Sequence, residues 1–298
     1  MEFSGIFAAL TTPFAEEGGV SLADLRHNIH RYDQTDMAGY VVLGSTGESV
    51  LLSRAEMDSI LVTVKEQAAK GKLLIAGCGA ESTAETIERT KRAAELGYNA
   101  ALVKTPYYYK PSYKPEILNA HYRAVADASP IPILLYSVPQ FTGVTLETPE
   151  ILELAEHSNI IGIKDSSGDV RRIGEVVAGV SSSFQVLTGA ASVVFPALAM
   201  GARGAILALA CALPDKCAAL FHLFRHGHVD KARDLQLILV RASKLIVSEN
   251  GIAGVKFAMD HRGYRGGVPR LPLAPLKEEQ KTRLLEMLAQ LDPATARA

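Results

Sequence analysis

Lys164 closes the apolar run Ile160–Ile163 and is followed at once by Asp165, Ser166, Ser167, Gly168 and Asp169, a polar stretch of the kind that turns a chain out of a strand. A solvated lysine has a pKa of roughly 10.4 and is a poor nucleophile near neutrality, whereas burial can lower that by as much as 3 to 5 units. An amine held out of water at a strand end can therefore attack a carbonyl and form a Schiff base. Alternation along the run puts Lys164 and Ser166 on one face and Asp165 on the other, so Asp165 is not expected to be its ion-pair partner. A lone strand-end lysine is more often a cation reaching for water, and the neighbouring motifs must decide. Lys104, after Ala100–Val103, is the competing amine, although Pro106 restricts the backbone beyond it.

Other residues could serve the same chemistry. Tyr136 ends the apolar run from Ile131, where a phenol is either a packing plug or a proton donor. Ser45 and Thr46 stand between Gly44 and Gly47, in a turn tight enough for backbone N–H groups to approach an anion; an ordinary turn is the other reading. Glu48 reads as a structural carboxylate that keeps this turn rigid. Tyr107, Tyr108 and Tyr109 cannot all face one way, so at least one is expected in a subunit interface.

The elements that must position these groups are eight short apolar runs: Ile6–Thr11, Gly39–Leu43, Leu73–Gly77, Ala100–Val103, Ile131–Tyr136, Ile160–Lys164, Gln185–Thr188 and Ala205–Leu209. Consecutive apolar positions are the mark of parallel strands covered on both faces. Helix starts fall between them: Ser53 with Glu56 and Ser82 with Glu85 have capping-box spacing, Pro149 follows Thr148, and Pro214 opens a later segment. Eight strand–helix units predict an α/β fold, the closed (β/α)8 or TIM barrel; an open doubly wound sheet is the alternative. The barrel is expected over residues 1–225, with helices over 226–298 packed on it as one unit and Pro293–Ala298 frayed. In such a barrel the strand ends that carry Thr11, Ser45, Thr105, Tyr136, Lys164 and Thr188 would converge on one mouth.

Composition narrows the classes of function. In 298 residues, 48% are hydrophobic and 21% charged with a net charge of −1, which fits a large core and gives no footprint for nucleic acid. No signal peptide and no run approaching about 18 apolar residues is present, so no membrane partner and a cytoplasmic location are expected. Cys78, Cys211 and Cys217 show no metal-ligand spacing and fit a reducing compartment. The pairs His27 and His30, and His226 and His228, lack a carboxylate or cysteine to complete a metal site, and Gly77-Cys78-Gly79 is too short for a dinucleotide motif.

From Gly5 to about Leu291 the chain resembles the pyruvate-handling Schiff-base lyases that include dihydrodipicolinate synthase, N-acetylneuraminate lyase and 4-hydroxy-2-oxoglutarate aldolase. The segments GSTGE at 44–48, KTPYYYKP at 104–111, YSVPQFTG at 136–143 and GIKDSSGD at 162–169 carry the resemblance. It implies an imine of Lys164 with a 2-oxo acid, a proton relay through Tyr136, and a carboxylate held by Ser45 and Thr46. Tyr108 would reach into the neighbouring subunit's site, and Ser166, Gly189 and Ile206 would line the substrate. The lysine imine would stand in place of any cofactor or metal, and the assembly would be a homotetramer built from tight dimers. Synthases of this kind set an arginine before the Thr-Gly of the fifth loop, where this chain has Phe141. The segments YSVP, KDSSGDVRRIG and FQVLTG are closer to the 4-hydroxy-2-oxoglutarate aldolases, although those carry asparagine where Thr46 and Phe141 stand. Cleavage of 4-hydroxy-2-oxoglutarate to pyruvate and glyoxylate is therefore the leading expectation, with condensation of pyruvate and aspartate semialdehyde as the alternative. A 2-keto-3-deoxy sugar acid aldolase and a non-catalytic keto-acid sensor are further readings.

Overall fold

The apolar runs become strands because each is buried on two sides. In the computed structural model, which describes residues 2–291, the strands are β1 (Gly5–Ala9), β2 (Gly39–Val42), β3 (Leu73–Gly77), β4 (Ala100–Lys104), β5 (Ile133–Ser137), β6 (Ile160–Asp165), β7 (Gln185–Thr188) and β8 (Gly204–Leu207). All pair in parallel with their sequence neighbours, and β8 returns to β1 to close the barrel. That closure is the TIM barrel expected from the alternation; an open doubly wound sheet would not pair β8 with β1. Strand β5 starts at Ile133 instead of Ile131, because Pro132 has no N–H to give to a ladder. Strand β8 stops at Leu207, where the chain tightens into a 3-10 turn over Leu209–Cys211.

Side-chain alternation sorts the core into two layers. Phe7, Ala9, Val41, Ile75, Leu102, Leu134, Tyr136, Leu187 and Ile206 fill the barrel interior. Ile6, Ala8, Val42, Val103, Ile133, Leu135, Ile163 and Val186 face outward beneath the helices. Burying each large apolar side chain contributes roughly 1.5–3 kcal/mol, and a one-residue slip would turn the interior set outward, so the register of the mouth is firmly held.

Local signals place the helices. Ser53 opens the helix Arg54–Gln67 with a complete capping box, its Oγ accepting from Glu56 N at 3.3 Å while Glu56 Oε2 accepts from Ser53 N at 2.8 Å. At Ser82 only the serine half forms, because the Glu85 carboxylate turns outward to Arg54 and Arg89. Pro149 lies in the first turn of Thr148–Leu154, and Pro214 begins Pro214–Arg225. Beyond the barrel, helix Val229–Ser243 passes through a π-helical turn at Lys244–Glu249 into Gly251–His261, and Glu278–Leu291 follows. The segment Pro293–Ala298, read from sequence as frayed, lies outside the described residues.

Candidate active site

The barrel register sets three polar side chains in one row: Lys104 on β4 stands opposite Tyr136 on β5, and Tyr136 opposite Lys164 on β6. Lys164 is only 4% exposed, and its Nζ lies 4.2 Å from the centroid of the Tyr136 ring. The Tyr136 hydroxyl in turn lies 3.5 Å from Ser45 Oγ. An amine, a phenol and a serine hydroxyl thus share one small space at the carboxyl ends of β2, β5 and β6. Asp165 points away, as alternation required, and its Oδ2 pairs with Arg172 Nε at 3.0 Å while Oδ1 accepts the Ser167 N–H at 2.8 Å.

Ser45 and Thr46 lie in a one-turn 3-10 helix, Ser45–Gly47, flanked by Leu43 (φ 61°) and Glu48 (φ 55°) in the left-handed region. Two such non-glycine residues cost free energy that the surroundings must repay, and strain of this kind gathers at functional loops. The surroundings do hold this loop. Thr12 Oγ1 donates to Gly47 O at 2.7 Å, Lys256 Nζ meets Glu48 Oε1 at 2.6 Å, and Arg270 N donates to Glu48 Oε2 at 2.8 Å. Glu48 is therefore the structural carboxylate read from sequence. Its partners come from the helix Gly251–His261 and the segment after it, and neither Lys256 nor Arg270 stood out beforehand. Burial pushes the Lys256 ammonium down while Glu48 opposes the shift. A lysine inside the apolar stretch Gly254–Met259 was the signal available in the sequence.

The remaining expected contacts divide. Ser166 is buried beside Lys164, and a Cβ on Gly189 would fall 1.9 Å from Ser166 Oγ and 3.0 Å from Lys164 Cε. Only glycine lets those two side chains sit together there. Ile206 is fully buried in the inner layer, in register with Phe7 of β1. The three tyrosines diverge: Tyr107 is half-buried with its ring 4.6 Å from Lys104 Nζ, while Tyr108 and Tyr109 are exposed and stack edge to face at 4.9 Å. Glu81, another residue the sequence did not flag, accepts the Tyr107 and Tyr108 N–H groups at 3.0 and 2.9 Å. At the Lys104 end of the row lies a cavity of about 360 Å³, lined by Ser45, Lys104, Tyr107, Val138, Phe141 and Thr142 among others. That volume suits a small metabolite. The histidines read from sequence as surface residues have mundane partners where bonds form, His27 with Gly263 O and His226 with His222 O.

A TIM barrel with a buried lysine and a tyrosine side by side at its carboxyl mouth defines a class, the carbon–carbon lyases that work through a lysine imine. Comparison with known proteins gives the family. A family model described as "Dihydrodipicolinate synthetase family" matches residues 2–291. A 4-hydroxy-tetrahydrodipicolinate synthase of Exiguobacterium sp. is 37% identical over 290 residues, 97% of this chain and 98% of that protein. The solved dihydrodipicolinate synthase of Bacillus anthracis superposes with a TM-score of 0.92 at 30% identity, covering 97% of this chain and 98% of its own. The Acinetobacter baumannii enzyme, solved with pyruvate, gives 0.92 at 33% identity, covering 96% and 98%. The chain belongs to the dihydrodipicolinate synthetase family, and with it to the class I pyruvate aldolases. The names of these relatives favour the synthase alternative over the 4-hydroxy-2-oxoglutarate aldolase that led the sequence reading. Among the described residues no helix is long and apolar enough to cross a membrane.

Proposed function

We propose that this enzyme condenses pyruvate with aspartate semialdehyde through an imine on Lys164. The observation that carries the reading is the shared site of Lys164, Tyr136 and Ser45, with Lys164 Nζ 4.2 Å from the Tyr136 ring and Tyr136 Oη 3.5 Å from Ser45 Oγ. The Lys164 amine attacks the keto carbon of pyruvate, and the carbinolamine expels water as it takes a proton relayed by the Tyr136 hydroxyl. The protonated imine draws electrons from the adjacent methyl carbon, which loses a proton to give an enamine. That carbon attacks the aldehyde, and Tyr136 hands the new alkoxide its proton. The amino group of the bound aldehyde then displaces Lys164, closing a ring and freeing the enzyme. Ser45, Thr46 and the backbone of their turn hold the pyruvate carboxylate; Ser166, Gly189 and Ile206 shape the space around the imine. The reaction needs no further cofactor, because the imine is the electron sink.

The exposed tyrosines support assembly as a homotetramer, with Tyr108 completing a neighbouring protomer's site. Three free, buried cysteines support a reducing, cytoplasmic setting. A second reading, cleavage of 4-hydroxy-2-oxoglutarate, draws on Phe141, an exposed ring in the fifth loop where the resemblance sets the synthases' arginine.

Borohydride reduction with pyruvate should add the reduced three-carbon acid to Lys164, and Lys164→Ala should stay unmodified and inactive. Tyr136→Phe should still fold and lose about 10²- to 10⁴-fold in turnover. Aspartate semialdehyde with pyruvate should outperform 4-hydroxy-2-oxoglutarate, N-acetylneuraminate and 2-keto-3-deoxy sugar acids; a preference for 4-hydroxy-2-oxoglutarate hands the assignment to the second reading.

A further inference from the structure

An aldehyde that carries its own carboxylate is held best by a cation at the mouth; the fifth loop places the apolar Phe141, 65% exposed, where one would stand, and its Gln140, like Ser166 and Ser167, can offer only uncharged donors. Lys104 supplies that cation from a different strand. It ends β4, on the inward face it shares with Leu102, and lines both the 360 Å³ cavity and the smaller cleft that holds Ser45 and Tyr136. Resting on the lysine-imine reading, we infer that Lys104 is the specificity-determining cation that holds the carboxylate of the aldehyde substrate.

The position suits the reaction. Lys104, Tyr136 and Lys164 are in register on three successive strands, so at about 4.8 Å per strand the two lysine Cα atoms stand about 10 Å apart. The two lysines therefore flank Tyr136, so that an imine on Lys164 and a carboxylate held at Lys104 would lie on either side of the phenol. The ammonium lies 4.6 Å from the Tyr107 ring centroid but has no carboxylate oxygen at hydrogen-bond distance. Its acidic neighbour, Glu81, has Oε1 3.7 Å away, too far for a hydrogen bond, and Oε2 is taken by two backbone N–H groups. The Lys104 side chain is 14% exposed, and burial pushes its pKa down with only partial opposition from Glu81. A substrate carboxylate arriving at this head group gains a charge-assisted hydrogen bond from a cation that water serves poorly. Lys110, whose Nζ also approaches the fifth loop at Gly143, is exposed and lies outside the cavity lining.

Steady-state kinetics on the full-length protein decide the matter, with pyruvate held saturating and aspartate semialdehyde, glyoxylate or uncharged propionaldehyde as acceptor. Lys104→Met should raise KM for the two acids about 10- to 100-fold, the range for losing one hydrogen bond to a charged group. Propionaldehyde KM should stay within about 2-fold, Lys104→Arg should recover most of the loss, and Lys110→Met should behave as the parent protein. Borohydride trapping with pyruvate should reach the parent level in Lys104→Met, which shows that the variant is folded and its imine site intact. Normal trapping with unchanged KM for the acids, or with an equal loss for propionaldehyde, overturns the role of Lys104 and leaves the imine reading standing. Absence of trapping in the unmodified protein brings down the imine reading itself.

Discussion

Two lysine–glutamate pairs in this barrel are built from the same parts and put to opposite uses. Lys256 and Glu48 meet at 2.6 Å with side chains 1% and 0% exposed, whereas Lys104 and Glu81 stand 3.7 Å apart at 14% and 41%. In each pair the carboxylate also collects backbone N–H groups and so fixes a loop: Glu48 binds Arg270 N, and Glu81 binds Tyr107 N and Tyr108 N. The Lys256 ammonium is fully spoken for, donating to Val268 O at 2.8 Å and lying 4.5 Å from the Phe14 ring centroid. Such a closed pair stiffens the turn that carries Ser45 and Thr46. The open pair leaves a half-neutralised cation facing a cavity. Burial and distance, more than residue type, separate a cation that holds the fold from one available to a ligand.

Removing the lysine from each pair separates the two most strongly. Lys256→Met strands the Glu48 carboxylate in a dry site, and we expect a loss of about 3–5 kcal/mol in urea-unfolding stability. Lys104→Met removes a partly solvated, poorly aligned partner and should change stability by less than about 1 kcal/mol. Equal losses would erase the distinction drawn here.

A smaller effect sharpens the description of the closed region. Arg270 reaches back from the C-terminal segment to Glu56 with Nη2–Oε1 at 2.6 Å and Nη1–Oε2 at 3.0 Å, and it also donates to Leu51 O and Gly18 O. This fork holds the Glu56 carboxyl down at about 2, against an ordinary 4.5. A depressed carboxylate pKa stabilises the fold above its unfolded value, and the gain is lost as pH falls from about 4.5 through about 2. Glu56→Gln should thus cost about 1 kcal/mol at pH 7, allowing for partial exposure, with the deficit closing as pH approaches 2. Thermal melts of both proteins across that window check it. A deficit independent of pH would mean that the Glu56 charge contributes nothing to the fold.

What the sequence made legible follows the same division. The strands were readable because burial on two faces leaves most positions of the runs apolar, and β6 shows it best, with Lys164 following the unbroken Ile160–Ile163 and its face set by alternation. Ser53 with Glu56 was readable because a capping box is local. The partners of Glu48 were not, since Lys256 and Arg270 lie more than 200 residues away and no periodicity links a turn to a distant helix; Arg270 N and Glu48 are 222 positions apart. Lys104 was visible as a strand-end amine, yet its standing depends on Glu81 and on the register of β4 with β5, which only the closed barrel supplies. At Ser82 the local pattern placed the helix start but not the second half of the box, because the Glu85 carboxylate pairs with Arg54 of another helix and with Arg89 one turn on.

The finest test acts on the open pair alone. Glu81→Gln keeps an oxygen to accept the Tyr107 and Tyr108 N–H groups and removes the negative charge beside Lys104, so stability should change by less than about 1 kcal/mol. Burial and Arg89 push the Lys104 pKa down and Glu81 raises it, while the neighbouring His121 is itself held down at about 4 and stays neutral across the alkaline range. Without the Glu81 charge the ammonium deprotonates at lower pH. If that ammonium holds the aldehyde carboxylate, the KM for aspartate semialdehyde should begin its alkaline rise at lower pH in Glu81→Gln than in the parent protein, while propionaldehyde shows no such displacement. Matching alkaline limbs for the two proteins would mean that Lys104 titrates without consequence for the substrate, and the cation at the mouth would have to be sought outside β4.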